Sequence, residues 1–496
     1  MWTAVVFFVV LLVTYLWVTR PKRPPNFPPG PPTFLIFGNV IDLVRTASND
    51  FQKHLNRLRS EHKSDIIGMV DPFGQPLVYV FGGELVKEAG NITELTGRPE
   101  LFTVMYLSEM KRAGIFFNEG PLWQEQRRFA LKHLRDLGMG KSVLNTMIAD
   151  EYALFAEHLK KVVGQEVKAN NLFITVVLNI IWKMVASRRF DYDDPERQRL
   201  QDIVTEFTQI TGPQNILFLF PSARFVAPES SGFNKIKVYH SAMQGLFGPC
   251  IAEHRATLDP SHPRDFIDAF LIESQRPDAE KRGFDENNLR TLCLDFFIAG
   301  SETTSLSMTW ALLLMVLYPD VQAKVQAELD EVVGEGRLPS YEDRPRLPYT
   351  EAVMTEIWRY TSFVPLAVPH RSSVGPAQLG GYTLPKDTTV MIHLQSAHHD
   401  RGHWGDPDVF RPERFIGEDG KFRKDDYFVP FGLGKRACLG ESMARTEFFT
   451  FLSCMLHQFH VRLPKGAKKP STEVRQFAIF LQPDDFNVIL DHRVRA

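Results

Sequence analysis

A glycine-rich stretch near the carboxyl terminus, Phe-Gly-Leu-Gly-Lys-Arg-Ala-Cys-Leu-Gly at residues 431–440, constrains this chain more than any other. It places Cys438 on a turn just ahead of a segment that predicts a helix over residues 441–457. A thiolate at a helix amino terminus lies among free backbone N–H groups, which lower its pKa. Glycines there let the backbone approach a large, flat group. The stretch therefore predicts a thiolate ligand for iron, with Arg436 placed to meet an anion beside it.

The spacing Phe-x-x-Gly-x-Arg-x-Cys-x-Gly resembles the haem-ligand loop of the cytochrome P-450 family. The resemblance implies that Cys438 is the axial ligand of the iron in haem b. It also implies that Phe431 and Gly432 contact the haem. The resemblance extends from the proline-rich segment near residue 24 to about residue 489, and it looks like the microsomal animal branch of the family.

The amino terminus predicts a membrane anchor. Residues 2–18 carry no charge, and as a helix they would span roughly 25 Å, enough for a thin bilayer. Arg20, Lys22 and Arg23 follow, which places the rest of the chain in the cytosol. A cleaved signal peptide is disfavoured because no basic residue precedes the apolar stretch. We therefore predict an endoplasmic-reticulum anchor over residues 1–19, a stiff proline-rich linker over 20–33 and a catalytic domain over 34–496.

The hydrophobic pattern predicts a mainly α-helical domain with small β-sheets. A hairpin is predicted from strands 66–70 and 77–81, and further short strands at 377–384 and 388–392. Apolar residues recur at helical spacing over residues 151–163 and 166–187, which predicts a helix in each stretch. The longest predicted helix, over residues 285–318, is apolar on most faces and should lie inside the fold. The family resemblance implies the P-450 fold, a single triangular helical domain.

Composition excludes several classes of function. Lys and Arg number 57 against 59 Asp and Glu, a net charge of −2, so nothing favours nucleic-acid binding. The four cysteines are scattered, which argues against a disulfide framework. Four histidines crowd residues 391–404, but their spacing fits no usual zinc pattern, so we predict no metal there. These are His393, His398, His399 and His403.

Three further elements carry the resemblance. Trp123 and Arg127 lie four apart on a predicted helix, and both are suitable donors to a carboxylate. The family holds a haem propionate with such a pair, and His370 and Arg436 match two more propionate partners. Glu356-x-x-Arg359 is followed by Arg414, which resembles the family's structural triad.

The middle of the long predicted helix is unusually polar, with the sequence Ala299-Gly300-Ser301-Glu302-Thr303-Thr304. An ionisable group in an apolar helix is costly unless it is paired or functional. A buried polar cluster that satisfies its own backbone is the alternative. The resemblance implies that Thr303 orders a water beside bound oxygen, that Glu302 relays protons, and that Ala299 and Gly300 lie against the haem.

The resemblance also implies a substrate pocket and a docking surface. The predicted pocket is lined by apolar residues, which favours a lipophilic substrate; they are Phe116, Phe117, Phe296, Phe297, Val364, Leu366, Ala367, Ile479 and Phe480. Exposed cations on the cysteine side predict docking of an acidic electron donor; they are Arg128, Lys132, Arg135 and Lys435. A solvated charged face is the alternative to docking.

Together these features predict a microsomal monooxygenase that uses O2 and takes electrons from NADPH through cytochrome P-450 reductase. Cytochrome b5 is a second candidate electron donor. The substrate would be a steroid, terpenoid, fatty acid or xenobiotic. Two alternatives remain open: a haem-thiolate isomerase or dehydratase that needs no reductase, and a non-catalytic haem-binding protein.

Overall fold

The computed structural model describes residues 14, 22–34, 38–46, 51–71, 73–170, 172–210, 215–473, 476–477 and 480–493. Except for Thr14, the predicted anchor over residues 1–19 lies outside the described residues, as does Ile479. No single helix in the described ranges is both long enough and apolar enough to cross a membrane. Two consecutive segments are long and apolar enough when taken together, but the chain bends by 107° between them; they are Glu280–Leu317 and Pro319–Val332.

The described chain is predominantly helical. In its first half the helices are α1 (Val40–Thr46), α2 (Phe51–His62), α3 (Gly83–Asn91), α4 (Phe102–Leu107), α5 (Gly120–Asp136), α6 (Ser142–Lys160), α7 (Ile174–Ala186), α8 (Pro195–Ile210), α9 (Ile216–Leu219), α10 (Ala223–Val226) and α11 (Phe233–Ala256). In the second half they are α12 (Phe266–Ser274), α13 (Glu286–Leu317), α14 (Pro319–Val332), α15 (Pro348–Thr361), α16 (Leu394–His398), α17 (Arg401–Trp404) and α18 (Glu441–Gln458).

Short strands form small sheets at the edges of the helical body. The strands are β1 (Ile66–Val70), β2 (Pro76–Val80), β3 (Glu166–Lys168), β4 (His370–Arg371), β5 (Ala377–Leu379), β6 (Tyr382–Leu384), β7 (Thr389–Ile392), β8 (Phe459–Arg462), β9 (Gln476–Phe477), β10 (Leu481–Gln482) and β11 (Asn487–His492). The largest sheet has the order β1-β2-β7-β4, in which β2 and β7 run parallel. Its edge strand β4 carries His370, opposite Val390.

Helix α13 is the centre of the fold. The Asp285 side chain caps its start by accepting from the Asn288 N–H, and the helix ends before Pro319. It is buried over most of its length and packs against α7 and α18. This confirms the predicted buried helix to within one residue at each end. The predicted hairpin is likewise present as β1 and β2.

The prediction of one helix over residues 166–187 was wrong at its start. Residues Glu166–Lys168 form strand β3, which pairs with β11, and helix α7 begins at Ile174. Val167 lies opposite Val488 in this pairing. The strand hydrogen bonds use backbone groups that a helix would have needed, so a partner more than 300 residues away overrides the local pattern.

A buried ion-pair network ties α15 to the region before the cysteine loop. The Glu356 carboxylate accepts from Arg359 at 2.6 and 2.8 Å and from Arg414 Nε at 3.1 Å. Arg359 also donates to the carbonyls of His398 and Pro407, at 2.9 Å each. Both Glu356 and Arg359 are fully buried. The structure thus brings the three predicted triad members together in one network.

Removing the charge of Glu356 should destabilise the protein strongly. We expect Glu356→Gln to lower the free energy of unfolding by about 3–5 kcal/mol, because Arg359 would remain buried without its carboxylate partner. Glu413→Gln is the control, since Glu413 forms a half-exposed pair with Lys324 and its loss should cost less than about 1 kcal/mol. Denaturant unfolding measures both, and equal losses would contradict a structural role for the network.

Candidate active site

The cysteine loop has a backbone path that only glycine allows at one position. Gly434 has φ 65°, and a Cβ there would lie 2.2 Å from the carbonyl oxygen of Gly90. The Cys438 N–H donates to the Phe431 carbonyl at 2.8 Å, which closes the loop. The Phe431 ring lies edge-on to Trp358 at 5.3 Å. The close approach to Gly90 and the ring contact with Trp358 therefore fix the position of the loop before α18 begins.

Cys438 is placed to act as a thiolate ligand. Its side chain has accessible surface, yet the surrounding protein desolvates the thiol. Both observations fit a sulfur that faces an open space inside the molecule. Burial raises the pKa of Cys438, and the backbone N–H groups of Gly440 and Glu441 and the charge of Arg127 oppose that rise. A metal ion would complete the deprotonation.

The donors predicted for a carboxylate lie beside this loop. Trp123 and Arg127 are one turn apart on α5, and Arg127 donates to the Ala437 carbonyl at 2.6 Å. Trp123 is buried, and its Nε1–H has no hydrogen-bond partner among the residues that the structure describes. The Arg436 guanidinium lies 3.6 Å from the centre of the Trp123 ring. A buried N–H without a partner is rare, so this indole is suited to a ligand acceptor.

A fifth donor, Arg98, was missed by the sequence analysis. It is buried and donates to the carbonyls of Phe116 and Pro369, at 2.9 Å each. Arg98 lies in an irregular segment between a glycine and a proline. Because no motif residue lies at helical spacing from Arg98, nothing in the sequence indicated that it belongs to the donor set.

These cationic groups repel one another. Burial, followed by the charges of Arg98 and Arg127, lowers the pKa of Arg436 to about 8. Burial and Arg127 lower the pKa of Arg98 to about 9. His370 donates from Nδ1 to the Leu95 carbonyl at 2.7 Å, and burial and Arg98 lower its pKa to about 3. A bound dianion would relieve this repulsion, so the cluster fits the two propionates of haem.

The midpoint of α13 has a group of accessible positions inside an otherwise buried stretch of the helix. Ile298, Ala299, Gly300 and Thr303 are partly accessible, whereas their neighbours on both sides are buried. The Thr303 hydroxyl donates to the Ala299 carbonyl at 2.7 Å. A lone pair of its oxygen remains able to accept from a water molecule.

Glu302 is buried beside this opening. Its Oε1 has no hydrogen-bond partner in the described part of the chain, and burial alone raises the pKa of Glu302 to about 7. A carboxyl group with that pKa is about half protonated at neutral pH, which suits a group that gives and takes protons. The alternative of a self-satisfied polar cluster therefore holds for Ser301, which donates to the Phe297 carbonyl, but not for Glu302.

The structure divides the predicted pocket residues into two groups. Phe296 packs edge-on against Phe266 at 4.9 Å, and Phe297 packs against Trp182 and Phe247, so both belong to the aromatic core. Phe480 is also buried. The partly accessible members are Phe116, Phe117, Val364, Leu366 and Ala367. Near the midpoint of α13 the accessible apolar positions are instead Ile298 and Ala299.

The histidines that crowd residues 391–404 bond protein groups. His398 accepts from the Val429 N–H at 3.0 Å, and His403 pairs with Asp425 at 2.9 Å. In the described ranges, the one group spaced to hold a metal ion is His254 with Asp265 and Asp268. The hydrogen bonds of His254 to Asp265 and Cys250 overcome the effect of burial and raise its pKa to about 10. This cluster is therefore an internal ion pair.

A family model described as "Cytochrome P450" matches residues 28–490. The chain belongs to the cytochrome P-450 family. It is 34% identical to farnesoate epoxidase of Bombyx mori over 97% of this chain and 98% of that protein. It is 35% identical to cytochrome P450 2L1 of Panulirus argus, over 95% and 96% of the two chains. It is 36% identical to cytochrome P450 2J3 of Rattus norvegicus, over 94% and 93%.

Membership of the P-450 family makes the protein a haem-thiolate monooxygenase, an oxidoreductase that uses haem iron and O2. The family also implies a redox partner and lipophilic substrates. The geometry agrees with this on two independent points: a buried donor at Trp123 without a partner among the described residues, and a cluster of guanidinium groups that are bonded to backbone carbonyls.

Removing the indole N–H of Trp123 should weaken haem retention. Trp123→Phe keeps a ring beneath Arg436 but loses a hydrogen bond to a charged acceptor, so we expect haem to be released about 10- to 100-fold more readily. Transfer of haem to apomyoglobin measures this. Trp310→Phe is the control, because its N–H donates to the Leu481 carbonyl, and its loss should lower stability without speeding haem transfer. Equal transfer from all three proteins would remove Trp123 from the haem site.

Proposed function

We propose that the enzyme inserts one oxygen atom from O2 into a lipophilic organic substrate, by hydroxylation or epoxidation, with electrons from NADPH through a reductase. The observation that carries this proposal is the buried, unpartnered carboxyl group of Glu302 beside Thr303 on α13. An isomerase or dehydratase on this fold would need no proton supply to oxygen. The Bombyx mori relative is a farnesoate epoxidase, which supports a terpenoid among the candidate substrates.

Each set of residues has a separate task in this proposal. Cys438 would ligate the haem iron, and Trp123, Arg127, Arg436, His370 and Arg98 would hold the propionates. A haem iron with a thiolate ligand supplies the activation of O2. Thr303 holds a water molecule with its hydroxyl oxygen. Glu302 exchanges its proton with that water at neutral pH.

We propose that the catalytic domain is held at the endoplasmic-reticulum membrane by residues 1–19. The linker that would join it to this anchor is docked to the body of the protein. Arg23 donates to the Pro28 carbonyl at 2.8 Å and to the Pro31 carbonyl at 2.9 Å, and it also reaches the Gly68 carbonyl of β1 at 3.2 Å. Such a fixed linker would restrict the tilt of the domain at the membrane.

We propose that the reductase docks on the outer face of α5, with cytochrome b5 as a second partner for the same face. Arg128, Lys132 and Arg135 are exposed and recur at spacings of four and three, so they share one face. Arg127, on the same helix, points inward to Ala437. The exposed Lys435 lies in the cysteine loop itself. A cationic face this close to the site would steer an acidic protein to it.

Two variants separate the parts of the chemistry. With reductase and NADPH, Thr303→Ala should keep NADPH oxidation but release peroxide in place of most of the product, because no hydroxyl would hold the water. Cys438→His should abolish product and lose the haem-thiolate carbon monoxide difference spectrum. Thr309→Ala is the control, since Thr309 bonds the Ser305 carbonyl in the buried part of α13. A normal product yield from Thr303→Ala would refute the proton-supply assignment.

Reversing the charge of the docking face should slow electron transfer. The triple variant Arg128→Glu, Lys132→Glu and Arg135→Glu should reduce the rate of reduction by the reductase on the order of tenfold at low salt. The difference should shrink as salt screens the charges. The matched control reverses three exposed lysines away from α5, which gives the same change in net charge: Lys160 at the end of α6, Lys161 just after it and Lys183 on α7. Equal slowing in both triples would exclude a specific docking site on α5.

A further inference from the structure

One tryptophan contacts both the cysteine loop and the central helix α13. Trp358 lies on α15 between two members of the ion-pair network, Glu356 and Arg359, and it is 4% exposed. Its Nε1–H donates to the Ser307 hydroxyl on α13 at 3.0 Å. Its ring meets the Phe431 ring of the cysteine loop edge-on, with 5.3 Å between the ring centres. One buried side chain therefore joins two parts of the candidate active site.

The Trp358 ring supports the cysteine loop. It also stacks on Phe448 of α18, with ring centres 4.8 Å apart and 30° between the planes. The Phe431 carbonyl accepts the Cys438 N–H at 2.8 Å, and the backbone N–H groups that follow Cys438 favour its thiolate form. Movement of Phe431 would shift the loop and weaken the contacts of these N–H groups with the sulfur. Hydrogen bonds around a metal-bound sulfur help to set the reduction potential of the metal.

A guanidinium group adds to the contact between Trp358 and the loop. The Arg445 guanidinium lies 5.4 Å from the centre of the Trp358 ring and 4.9 Å from that of Phe431. Its Nε donates to the Glu441 carboxylate at 2.9 Å, so its charge is matched. A cation at these distances attracts both aromatic faces. An aliphatic side chain at position 358 would therefore lose the attraction to Arg445 together with both ring contacts.

The indole N–H acts on α13 through Ser307. The Ser307 hydroxyl is buried and donates to the Thr303 carbonyl at 3.0 Å. A hydroxyl bonded to the carbonyl four residues earlier alters the local geometry of a helix. The Trp358 N–H occupies the acceptor side of the same oxygen, which directs the Ser307 proton towards that carbonyl. The indole thus influences the turn of α13 that carries Thr303.

Filling space in the core is the simpler explanation of a buried tryptophan. Filling space alone needs only an apolar ring, and a buried serine hydroxyl beside it costs free energy unless it is bonded. Here the Trp358 N–H and the Ser307 hydroxyl satisfy each other, and Ser307 continues the chain of hydrogen bonds to Thr303. The ring and the N–H of Trp358 can be altered separately, so the two explanations can be distinguished.

We propose that Trp358 is a positioning residue for the monooxygenase reaction. Its ring fixes the cysteine loop, and its N–H fixes the turn of α13 that carries Thr303. The effect of the ring follows from the family's haem-thiolate chemistry, whereas the effect of the N–H rests on the proposed function of Thr303. The same side chain would thus hold the sulfur ligand and the oxygen-binding side of the haem in a constant relation.

The effect of the ring is tested by a redox titration of the haem-loaded enzyme. Trp358→Leu should shift the equilibrium between oxidised and reduced haem about tenfold towards the oxidised form, which is about 59 mV for one electron. The reason is that loosened N–H groups would stabilise the more negative, reduced state less. Trp358→Phe keeps a ring against Phe431 and should restore the equilibrium to within about twofold of the unaltered protein.

Two further variants complete this experiment. Trp310→Leu is the control, because the Trp310 N–H donates to the Leu481 carbonyl, and its loss should lower stability without moving the potential. Phe448→Leu removes the ring on which Trp358 stacks. It should shift the potential in the same direction as Trp358→Leu, and it tests the support of the loop if Trp358→Leu does not retain haem.

The effect of the N–H is tested by the ratio of peroxide to product, with reductase and NADPH. Trp358→Phe and Ser307→Ala each remove the bond between the two side chains and should raise this ratio about 2- to 10-fold, the range for one hydrogen bond. The double variant should be no worse than Ser307→Ala alone, because its second change removes a bond already lost. Thr309→Ala, further along α13, is the control and should leave the ratio unchanged.

The inference and the proposed function fail differently. An unchanged potential in both Trp358→Leu and Phe448→Leu would overturn the effect of the ring. If Thr303→Ala releases peroxide but Trp358→Phe and Ser307→Ala do not, the effect of the N–H is wrong and the proposed function stands. If Thr303→Ala itself gives a normal product yield, the proton-supply assignment fails and the effect of the N–H fails with it, whereas the shift in potential still supports the role of the ring.

Discussion

Electrostatic repulsion among buried and partly buried cations is the constraint around which the site is organised. Arg98, Arg127 and Arg436 converge beside the cysteine loop with their guanidinium groups bonded to backbone carbonyls. Carbonyls satisfy the N–H donors but cannot cancel the charge. The carboxylate of Glu119 is engaged by Arg371 and by the Arg98 backbone N–H. Bringing these charges together destabilises the folded protein. A dianionic cofactor would offset that cost, so haem binding would increase the stability of the fold.

Three buried carboxyl groups on and beside α13 have similar pKa shifts but different surroundings. Burial raises the pKa of Asp295 and of Glu302 to about 7 and that of Glu447 to about 8. Asp295 holds the backbone N–H groups of Ile115 and Phe116, so its role is to fix the loop before α5. Thr304 donates to Glu447. Glu302 differs because it adjoins the accessible midpoint of the helix.

The motif residues could be read from the sequence because each element supplies its members at short, regular spacing. Cys438 and Arg436 share one loop, Trp123 and Arg127 share one helical turn, and Glu356 and Arg359 share another. The predictions that were wrong or incomplete concern residues whose partners lie far away in the sequence. Strand β3 exists because β11 pairs with it, and Arg98 enters the donor set from an irregular segment. Phe296 and Phe297 pack against rings of α7, α11 and α12, which a count along α13 does not show.

The sequence by itself determined the buried helix, and its motifs at short, regular spacing identified the family, since these features are local in the chain. Tertiary structure alone decided which charges meet, which donors remain without partners and which face of α13 is open. The pKa of Glu302, and an indole N–H of Trp123 without a partner in the described ranges, arise only when other elements exclude water from these groups. Desolvation is a property of the packed whole, and no single segment encodes it.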